Sequence, residues 1–211
     1  MLAKIGFASV WIAFSVYAFI FAPPNQPDTL VLIINLSSGN WDGINPLIIS
    51  LFNVMGILPA IYACFLLFDG RGQKIKAFPF VAGSFGVGAF AILPYLALRQ
   101  PNPKWEGEKN LLLKILDSRL TGLLLTLGTI SLIASGLIFG NWADFLTQWQ
   151  SDRTLHVMSL DFCLLCLLFP AVVKDDLKRR GIDNSGIFSI IAFVPLLGTL
   201  AYLCLRPPLV K

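Results

Sequence analysis

The sequence predicts an all-α, polytopic membrane helix bundle of about six transmembrane helices, and three observations predict it. The 211 residues are 56% hydrophobic and only 13% charged, about half the charge of a soluble domain. Six apolar runs approach the roughly 20 residues needed to cross a bilayer. The alternation a β-barrel requires is absent. Lipid offers no partners to bare backbone, so each run must satisfy its own groups as a helix. At this length a single transmembrane domain over residues 1–211 is expected.

The first run, residues 5–22, stops at Pro23 and Pro24. It is longer than a signal-peptide core and no A-x-A site follows, so it is read as a span that stays. The second, 44–68, ends in "DGRG", and the third, 78–98, ends at Arg99. The fourth, 120–139, ends in "GNW", and the fifth, 155–173, ends in "KDD". The sixth, 187–205, ends at Arg206 with Pro207 and Pro208. Pro59, Pro94, Pro170 and Pro195 fall inside these runs and predict kinks or broken ladders.

Three connections carry interfacial character. "KWEGEKNLLLKILDSRL" (104–120) mixes charge with a leucine-rich face. "NWADFLTQWQ" (141–150) puts Trp142, Phe145, Leu146 and Trp149 on one helical face, which suits the headgroup level. "DTLVLIINLSSGN" (28–40) is apolar but short, and fits a surface helix, a re-entrant piece or a strand-like lid. With six spans, seven Lys and Arg fall on the side of both termini and nine on the other. That split gives no orientation under the positive-inside rule. The formal charge of +4 is read loop by loop, and nucleic acid is not expected as a partner.

Internal similarity organises the chain. "YLALRQP" (95–101) and "YLCLRPP" (202–208) match at an offset of 107, and "GNW" recurs at 39–41 and 140–142. These landmarks divide the chain into halves 1–101 and 120–208, joined by an interfacial segment 102–119. Three spans per half would make the two repeats inverted, with a site near the midplane between them. The two arginine–proline endings would then lie on opposite faces. Aligning the middle spans at an offset of 108 sets Asn53 against Asp161.

Asp161 is the most informative residue, a carboxyl well inside the fifth run. Acids there are expensive (about 2.5–3.5 kcal/mol at a helix centre), and they mark ion, proton or polar-ligand sites. An interhelical hydrogen bond that merely holds the bundle together is the structural alternative. His156 is the only histidine. Its imidazole is a candidate axial ligand for chlorophyll magnesium, or a titrating group; an interfacial histidine bonded to water or backbone is the alternative. A lone histidine rules out bis-histidine haem within one chain. Cys163 and Cys166 have C-x-x-C spacing, but two thiols do not complete a zinc site, and the soluble βαβ context of a redox motif is missing. "GSFGVGAFAILP" (83–94) is glycine-rich but lies inside a run, which argues for close packing and not a phosphate loop. No Ser–His–Asp set, paired-carboxylate site or HExxH motif occurs, so an enzyme is the minority reading.

The stretches "WDGINPLIISLFNVMGILPAIYACFLLFDGRGQ" (41–73) and "FGVGAFAILPYLALRQP" (85–101) resemble a poorly characterised family of multi-span membrane proteins of cyanobacteria and plastids. "HVMSLDF", "KDDLKRRG" and "PLLGTLAYLCLRPP" in the second half are compatible with it. The resemblance implies a photosynthetic, thylakoid-type membrane and a role beside photosystems or their assembly. It brings other membrane subunits as partners and chlorophyll, carotenoid or lipid as cofactors. It supplies no functional residues. The expectation is therefore an accessory or assembly subunit of a photosynthetic complex. The alternative is a small ion-coupled or solute transporter with Asp161 and Asn53 at its centre.

Overall fold

A computed structural model describes residues 1–105, 107–182 and 185–209. Every regular element among them is helical. Helix α1 (Leu2–Val16) continues into a π-helical turn, Tyr17–Phe21, before Pro23 and Pro24 end the run. Residues 28–40 form α2 (Thr29–Ser38), closed by Gly39 at φ +79°, a left-handed C-terminal stop that glycine adopts without a Cβ penalty. Helix α3 (Pro46–Asp69) begins with proline at its first position and with the Asn45 side chain accepting from Leu47 N–H. Beyond the halfway point, α6 (Leu111–Leu116) is a short helix inside the expected interfacial segment. α7 (Arg119–Phe139), α8 (Trp142–Ser151) and α9 (Arg153–Arg179) are capped by Ser118, Asn141 and Asp152 respectively. Phe145 and Trp149 of α8 rest on a small cluster of Leu36, Ile48 and Leu155, while Trp142 stays exposed.

The third and sixth expected spans do not form as spans. Residues 78–98 are α4 (Phe78–Val87) and α5 (Ala89–Leu98), broken at Gly88 (φ +50°, ψ −125°). The arms fold back on each other. The rings of Phe80 and Tyr95 lie 5.5 Å apart, whereas fifteen residues of straight helix would separate them by ~22 Å. Residues 185–205 repeat the pattern as α10 (Ser185–Phe193) and α11 (Pro195–Leu205), broken at Val194. There Pro195 supplies no N–H and pushes Val194 out of the helical region. Gly198 lies so close to Ile191 that a Cβ would sit 2.9 Å from its Cα. Pro59, Pro94 and Pro170 sit inside continuous helices, so the first break falls at Gly88 and not at Pro94. Four helical segments are long and apolar enough to cross a membrane: residues 2–21, α3, α7 and α9.

Hydrogen bonds fix which ends meet. Lys4 Nζ donates to the Leu98 carbonyl, so α1 starts where α5 finishes. The Arg153 amide donates to the Pro24 carbonyl, so the first span finishes where α9 starts. α3 and α9 run in parallel: Ile48 meets Leu155 near their starts, and Arg179 pairs with Asp69 near their ends. Both hairpins therefore leave from, and return to, the end that holds Lys4, Asp69 and Asp176. That corrects the expectation that the two arginine–proline endings lie on opposite faces. Arg99 and Arg206 come to the same end and share one buried network. On this topology, Arg153 stands alone at the opposite end among the described Lys and Arg; Lys211 lies outside the described residues. The even split of basic charge becomes a one-sided one, which is the pattern of a cytoplasm-type face.

The network holds the two halves together. Asp69 accepts from Tyr95 Oη at 2.6 Å and from Arg99 Nη1 at 2.7 Å. At positions 107 later, Asp176 accepts from Tyr202 Oη at 2.9 Å and from Arg206 Nη1 at 3.1 Å. Arg99 also reaches Asp175, Arg179 lies between Asp69 and Asp176, and Arg180 pairs with Asp176 and Asp117. Burial works against the charges of Arg99 and Arg180. The surrounding carboxylates, Asp69 and Asp175 for Arg99 and Asp176 and Asp117 for Arg180, outweigh it and hold both guanidinium groups above their ordinary pKa. Tyr62 and Phe169, again 107 apart, stack at 4.8 Å across α3 and α9. Gly136 and Gly140 let α7 close onto Ser50 and Leu47 of α3, the packing role expected of small residues.

Two outcomes check this topology. Cysteines placed singly at Gln73 and Lys104, in a variant lacking the native thiols, should both react with an impermeant maleimide from the side that exposes Lys4. A third crossing between them would put them on opposite sides. Asp176→Ala should lower stability by about 3–5 kcal/mol, because it strands buried guanidinium groups. Asp42→Ala, at an exposed position, should stay within ~0.5 kcal/mol in the same thermal unfolding assay.

Candidate intramembrane site

Asp161 lies eight residues into α9, ~12 Å below its start, and is 6% exposed. Its partner is the tip of the first hairpin. Oδ1 accepts from the Ala89 N–H at 2.7 Å, the first amide of α5. An open helix N-terminus carries unpaired N–H groups and partial positive charge. At this depth an unmet N–H costs several kcal/mol, so the carboxyl both caps the half-helix and fixes the tip to α9. Gly88 is needed for two reasons. Its φ of +50° is a conformation that side chains rarely adopt, and a Cβ there would lie 1.8 Å from Asp161 Oδ2.

Beside this contact is a cavity of about 780 Å³, bounded by the first span, α2, α3, the hairpin tip and α9. Its walls are mostly apolar and aromatic, including Trp11, Phe19, Phe52, Phe85 and Met158. Asp161, Ser84, Asn25, Thr154 and Arg153 are among its polar residues. The volume lies within the ~300–1,000 Å³ typical of ligand sites. Phe19, Phe85 and Val87, on its rim, are exposed on the outer surface of the helices.

The expected pairing of Asn53 with Asp161 is not formed. Asn53 Nδ2 donates to the Ile49 carbonyl of its own helix, and Asn53 is not among the residues that line the cavity. The register explains this. Contacts equivalent between the halves are 107 apart, which sets Val54 against Asp161. A slip of one residue turns a helix by ~100°. The position equivalent to Ala89 is Leu196, one residue after Pro195. The first hairpin thus sets a glycine tip against an acid of the other half, whereas the second has a proline tip and the position equivalent to Asp161 is valine.

His156 is placed near the outer rim but is fully engaged. Nδ1 lies 2.9 Å from the Trp149 carbonyl, which can only accept, so this nitrogen carries a proton. Nε2 lies 2.8 Å from Tyr17 Oη at the π-helical turn, and the ring stacks on Trp149 at 4.2 Å. Both ring nitrogens thus have protein partners, one of them a backbone carbonyl. Among the described residues no group of three or more His, Cys, Asp or Glu could hold a metal. Cys163 is exposed on the outside of α9 and Cys166 is half-buried; both are free thiols.

Sequence reasoning singled out Asp161 but missed Gly88, Ala89 and Arg153. The available signal was "GVGAFAIL", a glycine immediately followed by a fresh helix-forming run. Comparison of the chain with known family models, curated proteins and solved structures finds no match.

Gly88→Ala should destabilise the protein by about 1–3 kcal/mol through backbone strain and the clash with Asp161. Gly86→Ala, where an added Cβ meets nothing within 4 Å, should leave the unfolding temperature in one detergent nearly unchanged.

Proposed function

We propose that this chain is a membrane protein made of two copies of one unit, each with two spans and a re-entrant hairpin. In the first unit the space beside the hairpin tip holds a lipophilic molecule taken laterally from the bilayer. The cavity carries this reading: an aromatic-lined chamber at bilayer depth with a buried carboxyl at its inner wall. Exposed Phe19, Phe85 and Val87 at its rim favour passage from lipid over passage from water. Asp161 offers its free lone pairs to a hydroxyl or other donor on the guest. The repeat supplies the frame, and the loss of acid and glycine at the equivalent place confines the site to one of the two hairpin tips. An accessory role beside a larger photosynthetic complex, with a pigment or lipid as the guest, is the wider setting. It draws its support from the sequence resemblance. The alternative, a small ion-coupled or solute carrier, would centre on Asp161 without Asn53, which bonds within its own helix.

The test is to purify the full chain gently and identify what it retains, by absorption spectrum and by mass spectrometry of extracted lipids. One lipophilic species at near-stoichiometric amount is expected. Gly56 lines the cavity, and an added Cβ there meets nothing within 4 Å. Gly56→Phe should therefore fill the space and lose most of the bound species without loss of thermal stability. Equal retention by both proteins would remove the cavity from the reading.

A further inference from the structure

Arg153 is anomalous on three physical grounds. It stands at an end where the positive-inside rule predicts few cations, and it has no described Lys or Arg beside it there. It is the first residue of α9, where the helix's own partial positive charge opposes a cation by about 0.3–1 kcal/mol. Its Nε donates to the Pro23 carbonyl at 2.8 Å, and among the described residues its guanidinium lies within ion-pair distance of no carboxylate. The neighbouring Asp152 is occupied with the helix cap, accepting from Thr154 N–H at 2.6 Å and Leu155 N–H at 3.1 Å. Arg153 nevertheless lines the apolar cavity, together with Asn25 and Thr154.

An unpaired guanidinium at the mouth of an apolar chamber is complementary to one ligand class. We infer that the cavity binds a single-chain anionic amphiphile, with its acidic head paired to Arg153 at the headgroup level and its chain running inward past Phe52 and Met158. The inference rests on the cavity reading above and gives it a chemical identity. Arg153 Nη1 and Nη2 can present parallel N–H groups to a carboxylate or a phosphate, and Asn25 and Thr154 add neutral donors at the same level. The chain lies on the ~12 Å of wall between Arg153 and Asp161 and on the aromatic floor beyond. The two acid chemistries, a free fatty acid and a single-chain phospholipid, share this design and differ only in their heads.

The experiment uses the delipidated full chain in nanodiscs of uncharged lipid. Saturable binding is measured for palmitate, for lysophosphatidate and for hexadecanol, which has the chain without the charge. The wild-type protein should bind an anionic probe at least tenfold more tightly than hexadecanol. Which anionic probe binds more tightly identifies the source of the head. Arg153→Gln should bring the anionic probes down to the level of hexadecanol, and Arg153→Lys should keep most of the preference, which separates charge pairing from a structural role at Pro23. Equal binding of hexadecanol and both acids, or an acid preference that survives Arg153→Gln, would overturn the head assignment. If Gly56→Phe then abolishes that binding, the cavity reading still stands. Absence of saturable binding for all three probes would remove both.

Discussion

Everything in this architecture hangs on the buried arginine–aspartate network at one end of the bundle. Four guanidinium groups, from Arg99, Arg179, Arg180 and Arg206, are all but withdrawn from solvent with Asp69, Asp117, Asp175 and Asp176. Stranding any one of these charges is costly, by ~3–5 kcal/mol for a broken buried pair, so the elements that bring them together are held to one arrangement. Asp69 ends α3 and Asp176 lies near the end of α9, while Arg99 and Arg206 follow directly on α5 and α11. Pairing each aspartate with the arginine that closes its own hairpin requires the chain to come back to the end it left. The re-entrant turns at Gly88 and Val194 are the consequence.

A turn in the middle of an apolar layer leaves backbone groups without partners, and the two hairpins answer this in different ways. In the second, Pro195 removes one N–H at the break. In the first, the Asp161 carboxyl accepts from Ala89 across the helix interface, and glycine makes room for it. The first solution is polar and leaves a buried acid beside a chamber, whereas the second is apolar. This difference between the two tips is why a buried acid lies beside one of them only. Asp161 thus joins the two readings that the sequence set against each other: it holds the tip in place, and it lies at the wall of the cavity.

Much of this was legible in the residues. Low charge and long apolar runs fix an all-helical chain with spans. The tryptophan face of residues 141–150 identifies an amphipathic helix, and Asp161 stands out as an acid where acids are rare. The arginine–proline endings mark where the network forms. What misled was the meaning of an apolar run of about 20 residues, because length alone does not distinguish a crossing from a hairpin with two arms of ten. Glycine inside "FGVGAF" reads equally well as close packing. The face of a helix is also set by register, and a single-residue slip placed Asn53 opposite Asp161 when the equivalent position is Val54. The triplets Asp69–Tyr95–Arg99 and Asp176–Tyr202–Arg206 give the offset of 107 directly, but only once tyrosine, aspartate and arginine are recognised as one hydrogen-bonded set. His156 could not be judged from sequence, since its partners Trp149 and Tyr17 come from a different helix and a π-helical turn.

The central claim is that residues 78–98 double back. Spin labels at Phe78 and Leu98, read by pulsed electron–electron double resonance in lipid, test it most directly. A hairpin predicts a narrow distribution below ~20 Å, allowing for the length of the labels, because residues 80 and 95 already hold their rings 5.5 Å apart. A single helix through the same residues would separate the two positions by ~30 Å, and a distribution centred there would contradict the parallel halves, the shared arginine network and the site at the tip together.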